Sequence, residues 1–282
     1  MKYPIWVSSM TGGTELANKI NKSLATMCGK YGLGMGLGSC RQLLHSDEYL
    51  GDFMVRELMP DQPLFANLGI AQVEELIERE ELDKIEILLK KLSADGLIIH
   101  VNPLQEWLQP EGDKIKFAPI DTIKILLNKV DYPIIVKEVG QGFGKASLKA
   151  LLALPLEAVD FASNGGTNFS KIELFRSDPI KQEVYNQISN LGHDAYTMTR
   201  WSNELMEEDF NIKAKQLIVS GGVKNFLDGY YFVKSSKLQA TYGMASGFLK
   251  YALESDDELD QFVKLQLEGY DMAQAMLRIN QR

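Results

Sequence analysis

Lys137 places a cation inside an apolar run, Ile134-Ile135-Val136-Lys137-Glu138-Val139. An ammonium there must snorkel to water, pair with an acid or point into a pocket mouth, because an unpaired buried charge is costly. Two readings stay open. One is a salt bridge to Glu138 or another acid. The other is a cation that stabilises a developing anion, such as the N1–C2 edge of a reduced flavin. A second group ends another apolar run: His100-Val101-Asn102-Pro103-Leu104-Gln105-Glu106. His100 and Asn102 are two apart, so on a strand both face one side. Glu106 just beyond could hold Mg²⁺ on a substrate diphosphate, since this ion takes few protein oxygens plus phosphate. A lone His on a strand is usually a hydrogen-bonded core residue; the whole constellation favours a functional reading here.

Glycine recurs where apolar runs end: Gly12-Gly13, Gly32/Gly34/Gly36/Gly38, Gly140/Gly142/Gly144, Gly165-Gly166 and Gly221-Gly222. Glycine lets backbone N–H groups approach a ligand closely. A turn explains any one cluster; five on successive strands favour a ligand. Ser220-Gly221-Gly222-Val223 and Gly243-Met244-Ala245-Ser246 follow the last two runs, where barrels commonly bind phosphate. The alternative is two ordinary turns. Neither a dinucleotide fingerprint nor a P-loop is present. The third glycine position after Gly32–Gly36 falls on Leu37, Ser39 or Arg41, and Ala146 stands where a P-loop needs Ser or Thr.

These residues need elements that bring them together. Eight strand-like runs lie at 4–10, 34–39, 64–69, 96–102, 133–139, 158–163, 216–221 and 237–245. Most are continuously apolar, as strands of a doubly covered parallel sheet are. Between them lie helical patterns. One carries Leu16, Ile20, Leu24, Met27 and Tyr31, with Thr14 as a cap; a second runs from Val73 to Leu92. Further helices are expected at 122–128, 147–154, 224–235 and 257–279. Alternating β and α with eight strands predicts an α/β fold, a (β/α)8 TIM barrel forming a single domain over 1–282; an open doubly wound sheet is the alternative. Three stretches break the rhythm: an irregular one at 41–61, a polar loop at 105–118 and a long insertion at 164–196. In a barrel such segments sit at the C-terminal rim.

The bulk numbers exclude other classes. The chain has 282 residues, 30 Lys+Arg against 38 Asp+Glu, and a net charge of −8, with no basic stripe to meet nucleic acid. A phosphorylated ligand must then be held by local N–H groups, a few cations or a metal. Two cysteines give neither a disulfide frame nor a zinc site, and Cys40 reads as an apolar filler lacking a base. His193 and Arg200 read as structural or surface residues, and Trp107 and Trp201 as residues that pack loops. No leader peptide and no membrane span are visible, so a cytoplasmic protein with no membrane partner is expected.

Read in order, the motifs are Ser9-Met10-Thr11-Gly12-Gly13, Gly38-Ser39-Cys40-Arg41, Ala66-Asn67-Leu68-Gly69, the His100–Glu106 segment with Pro110-Glu111-Gly112-Asp113, Val136-Lys137-Glu138-Val139-Gly140, Gly165-Gly166-Thr167-Asn168-Phe169-Ser170, Ser220-Gly221-Gly222 and Gly243-Met244-Ala245. Their order and spacing resemble the type 2 isopentenyl-diphosphate isomerases from Pro4 to the end. The resemblance implies a barrel holding reduced FMN, with NADPH as reductant and Mg²⁺ as a second requirement. It implies a 1,3-allylic proton shift between isopentenyl and dimethylallyl diphosphate in isoprenoid biosynthesis, the proton managed through flavin N5. By the same resemblance Ser9, Met10, Thr11, Ser39, Asn67, Lys137 and Thr167 would contact FMN. Ser220, Gly221, Gly222, Val223, Ala245 and Ser246 would surround its phosphate. Gln105 would contact substrate, Glu106 would ligate Mg²⁺, and Arg41, His100 and Asn102 would hold the diphosphate. Lys137, Gln105 and His100 are the expected catalytic group, and a homo-oligomer, tetramer or octamer, is implied.

The family also carries an N-terminal segment with an Arg-Lys pair and a nearby His that clamp the diphosphate. Met1 falls just before the first strand, so that segment is expected to be missing. Cys40 stands where Gln is usual, and Ser163 and Ser246 where Gly is common. Two other readings remain: an FMN-dependent barrel oxidoreductase on another small substrate, or an inactive flavin-binding barrel. A 2-hydroxy-acid oxidase would need a His–Arg pair late in the barrel, and no His follows His193.

Overall fold

The computed structural model describes residues 1–9, 15–208 and 210–280. Its strands are β1 (Ile5–Val7), β2 (Gly34–Gly36), β3 (Leu64–Gly69), β4 (Gly96–His100), β5 (Ile134–Lys137), β6 (Ala158–Asp160), β7 (Leu217–Ser220) and β8 (Ala240–Met244). They pair in parallel in chain order, and β8 closes on β1 through Trp6↔Gly243. The expected (β/α)8 barrel is therefore the fold. The strand residues are buried apart from the rim end at His100, which is why their sequences are apolar on consecutive positions.

Around the barrel run α1 (Glu15–Tyr31), α2 (Ile70–Glu78), α3 (Asp83–Leu92), α4 (Pro103–Leu108), α5 (Pro119–Leu127), α6 (Lys145–Leu152), α7 (Phe169–Phe175), α8 (Pro179–Tyr185), α9 (Ala195–Glu207), α10 (Phe226–Ser235), α11 (Ser246–Glu254) and α12 (Asp256–Met276). Ile20 and Leu24 on α1, and Leu259, Val263 and Leu267 on α12, bury their side chains in one continuous core with the outer strand faces. Each such burial stabilises by about 1.5–3 kcal/mol.

Four expectations needed revision. The pattern from Val73 to Leu92 is two helices, because Glu80 takes a left-handed φ of 57° and turns the chain between them. The loop at 105–118 begins as α4, started by Pro103 at its first turn. The insertion at 164–196 folds into α7 and α8 and enters α9; Asn168, Asp178 and Asp194 cap these three through their side chains. The C-terminal stretch is preceded by a separate helix, α11, and Ser255 caps α12. Thr14 lies outside the described residues.

Strand register decides what points inward. Trp6, Phe65, Ile98, Ile135, Ala158 and Ile218 form an apolar plug inside the barrel. Two residues further along each strand the same face presents Ser8, Asn67, His100, Lys137, Asp160 and Ser220. The barrel is thus oily below and polar at its C-terminal mouth.

Candidate active site at the barrel mouth

Ser8, Lys137 and Ser220 of this ring line a cavity of about 250 Å³, with Asn67, His100 and Asp160 outside its wall. Its walls include Ser9, Lys137, Thr167, Ser220, Gly221, Gly222, Val223, Ala245 and Ser246, which the sequence had singled out. Ser8, Ala162, Ser163 and Phe169 also line it and had not been assigned a role there. Ser39 is exposed and does not line the cavity. Met10 and Thr11 lie outside the described residues.

Lys137 is buried and donates from Nζ to the backbone carbonyl of Glu138 at 2.6 Å. The anticipated alternative, a salt bridge to the Glu138 carboxylate, is not what forms. That carboxylate instead accepts the N–H groups of Gly140, Gln141 and Gly142 at 2.6, 2.6 and 2.9 Å. It pins the β5–α6 loop whose Val139 and Gly140 wall the cavity.

His100 Nδ1 meets Asn67 Oδ1 at 2.8 Å, while Asn67 Nδ2 donates to Ser9 Oγ and to the Leu37 carbonyl. Since Asn67 spends its donors elsewhere, Nδ1 carries the imidazole proton. Enclosure of the ring, then the Lys137 charge, depresses the His100 pKa to about 3. Above that pH it is a neutral imidazole. Asn102 does not share the His100 face, because β4 ends at His100 and Asn102 takes the turn into α4 with φ −132° and ψ 44°.

Part of the cavity wall, after Ser220, is a backbone cradle. Gly221 and Gly222 have φ of +85° and +78°. A Cβ on Gly221 would lie 2.1 Å from the Ser163 carbonyl oxygen and 2.2 Å from its nitrogen. Ser163 Oγ donates to the carbonyls of Ser220 and Gly221 at 2.7 and 2.8 Å, so the serine stitches the β6 and β7 turns together. Ala162 is held at φ +37°, its N–H on Ser220 Oγ at 2.8 Å. Non-glycine residues seldom adopt such angles without a surrounding structure that imposes them.

Beside the cavity a polar network runs along the rim. The Arg41 guanidinium binds the Asp113 carboxylate at 2.9 and 3.3 Å, and Gln72 Nε2 donates to the same group at 2.7 Å. The Asp113 N–H donates to Glu106 Oε2 at 2.7 Å, and Asn102 Nδ2 to Glu106 Oε1 at 2.8 Å. Gln105 Nε2 reaches Glu173 Oε1 at 3.1 Å, and Glu173 also takes Arg176 at 2.7 Å. So Arg41, Asn102, Gln105 and Glu106 come together as anticipated, apart from His100, which belongs to the barrel ring. Asn102 Oδ1 is buried without a hydrogen-bond partner. Glu173 and Asp113 complete the network; Asp113 lay within a quoted motif without a role, and nothing in the α7 sequence marked Glu173. Among the described residues no cluster of three or more His, Cys, Asp or Glu side chains converges to hold a cation. A metal here would rest on Glu106 and ligand oxygens, a mode Mg²⁺ uses.

The weaker candidates behave as read. His193 packs edge-on to Trp201 at 4.7 Å, Trp107 packs on Tyr185, and exposed Arg200 lies 3.6 Å from Glu204. Cys40 is fully enclosed, which pushes its thiol up to about 12 and removes it as a nucleophile. Among the described residues no helix is long and apolar enough to cross a membrane.

The depressed His100 pKa has a measurable consequence. In the unfolded chain this His titrates near 6.5, so its contribution is intact above that pH and is lost as the pH falls toward 3. Between pH 7 and 5 His100 should cost the native state up to about 2 kcal/mol. His100→Gln should show a correspondingly shallower loss in urea unfolding. Parallel wild-type and variant curves would mean the ring charges freely in the fold.

No protein-family model matches the chain. It is 35% identical over 270 residues to the isopentenyl-diphosphate delta-isomerase of Rickettsia felis, spanning 95% of this chain and 75% of that protein. It is 34% identical over 270 residues to the protein of the same name from Rickettsia africae, with the same coverage. In three dimensions it resembles the flavin-binding domain of baker's yeast flavocytochrome b2, with a TM-score of 0.64 at 15% identity, covering 98% of this chain and 66% of that one. It also resembles a mandelate oxidase variant carrying a monooxide FMN adduct, with a TM-score of 0.60 at 11% identity, covering 96% and 74%.

Proposed function

Because the chain belongs to the isopentenyl-diphosphate delta-isomerase family, we propose that it interconverts isopentenyl and dimethylallyl diphosphate with reduced FMN, supplied with electrons by NADPH, and with Mg²⁺ on the diphosphate. The observation that carries this reading is the cavity itself, which joins a buried cation to a glycine-lined anion cradle.

The residues fit FMN on three counts. Gly221 and Gly222, at φ of +85° and +78°, line the cavity with backbone that carries no side chain, the kind of surface that can approach a phosphate closely. Ser8 Oγ, a cavity-lining hydroxyl, is buried with no hydrogen-bond partner. Lys137 puts a buried cation in the cavity wall, the kind of group that could stabilise the negative charge of a reduced isoalloxazine. Mg²⁺ fits less fully, through Glu106 alone.

Bound and reduced, FMN would supply the proton exchange at the alkene carbon. The chain does the rest. Ser220, Gly221, Gly222, Val223, Ala245 and Ser246 hold the phosphate, helped by the first turn of α11. Ser9, Asn67 and Thr167 bind the ring and its tail. Lys137 stabilises negative charge at the ring edge. Glu106 holds the metal, with Asn102 and the Asp113 N–H fixing its carboxylate. Arg41 and Gln105 orient the diphosphate. His100, neutral, contributes hydrogen bonding rather than charge. Val139, Phe169 and Leu249 give the cavity part of its apolar wall.

The test is reconstitution with FMN, anaerobic reduction, and proton NMR of added isopentenyl diphosphate. The allylic methyl signals of the product should grow, and chelation should stop them. Glu106→Gln should raise the Mg²⁺ requirement at least about tenfold. A yellow, reducible protein that leaves the substrate untouched would favour an oxidoreductase. A colourless one would sink the flavin reading altogether.

A further inference from the structure

Asp160 has no part in the scheme above, yet it sits in the same ring. It is fully solvent-excluded at the end of β6, and its strand-register partner on β5 is Lys137; the next partner, on β4, is His100. Three consecutive strands therefore carry carboxylate, ammonium and imidazole inward, side by side.

Its oxygens are unequal. Oδ1 accepts Ser220 Oγ in a short hydrogen bond and the Ala162 N–H at 3.4 Å. Oδ2 is buried with no hydrogen-bond partner. Burial raises the Asp160 pKa, and the Lys137 charge opposes that rise. Of the six inward side chains in the ring, Asp160 is the one carboxylate. The neighbouring acid, Glu138, is turned onto three backbone N–H groups, and Glu106 and Glu173 are engaged in the rim network. His100 is neutral. A buried ammonium without a counter-charge is strongly unfavourable, and Asp160 is the carboxylate beside it in the strand register on the same inward face.

We propose that Asp160 is the counter-charge of Lys137, a positioning residue that trims the cation's field at the cavity floor so that reduced flavin held there stays electron-rich. The proposal rests on the FMN reading. An uncompensated Lys137 would bind the reduced ring too well as an anion and make it a poorer proton carrier. With Asp160 beside it, the pair acts on the ring as a dipole, and Ser220 links that dipole to the phosphate cradle.

The experiment compares FMN affinity in the two oxidation states for the wild type, Asp160→Asn, Lys137→Met and the double variant. Asparagine keeps the shape and can still accept from Ser220 and Ala162. A reduced isoalloxazine carries more negative charge than an oxidised one. Removing the nearby anion should therefore raise the preference for reduced over oxidised FMN about tenfold, at an effective interior dielectric near 20. Turnover should fall at the same time. Lys137→Met should move the preference the opposite way, and the double variant should lie between the singles. A preference changed less than twofold in an Asp160→Asn protein that keeps FMN and melts normally would overturn the proposal, as would a double variant matching Lys137→Met alone.

A second measurement needs no flavin. In urea unfolding of the apo-protein the two substitutions should be non-additive, the double costing less than the sum of the singles. Additive losses would refute the coupling. If the wild type takes up no FMN, the cofactor reading fails while this cycle still decides whether Asp160 and Lys137 are coupled.

Discussion

Lys137→Met leaves a folded protein that binds FMN and isomerises nothing measurable. Methionine has nearly the stem length of lysine, so packing among Ile98, Ile135 and the ring changes little. The cradle at Gly221 and Gly222 is a separate part of the cavity wall and, on the proposed reading, should still hold the phosphate. What disappears is a full charge in a water-poor site, aimed at the place where negative charge must be stabilised. Removing one pre-organised donor at such a place costs about 10²–10³ in turnover, and a whole cation belongs at or beyond the top of that range. The loss of Lys137 leaves Asp160 Oδ1 still accepting from the Ser220 hydroxyl and the Ala162 N–H, so the carboxylate keeps its hydrogen-bond partners and the fold survives. Turnover within tenfold of wild type, with FMN bound, would remove Lys137 from the chemistry.

Gly221→Ala does the reverse: it spares the cation and destroys the cradle. At φ +85° an alanine is strained, which costs about 1–3 kcal/mol. Its methyl would stand 2.1–2.2 Å from the Ser163 backbone, and peptide atoms cannot rotate away as a side-chain tip can. The β6 and β7 turns must part, breaking the Ser163 hydroxyl bonds to Ser220 and Gly221. If two charge-assisted N–H bonds to the phosphate are lost at about 1.5–3 kcal/mol each, FMN affinity falls at least about a hundredfold. Fluorescence titration of FMN into the apo-variant measures this directly. Retained tight binding would mean that the phosphate sits elsewhere.

The barrel could be read from the sequence because doubly covered strands need unbroken apolar runs, and all eight runs became strands. Interruptions of the pattern were harder. One helix became two at Glu80, since a single left-handed residue leaves no periodic trace. Lys137 was found because a charge breaks an apolar run. The same rule applied to Val159-Asp160-Phe161 would have found Asp160, which was overlooked inside its strand. Asn102 was given the right company for the wrong reason: alternation stops where the strand stops, and its neighbours come from the turn into α4. Glu173 had no local signal, because its role depends on α7 folding back over α4. Ser39 sat in a motif yet points to solvent.

Apart from the buried Asn102 Oδ1, the rim network is satisfied within the chain. Arg41 is already clasped by Asp113, and Glu106 is already doubly hydrogen-bonded. An incoming anion that takes the inner face of the half-exposed Arg41 guanidinium therefore competes with a carboxylate already there. Its net gain is the difference between two ionic partnerships, and that difference shrinks quickly for a ligand with fewer charged oxygens. On the proposed reading the rim would therefore act as a threshold, favouring a diphosphate, with its several charged oxygens, over singly charged anions such as chloride or acetate.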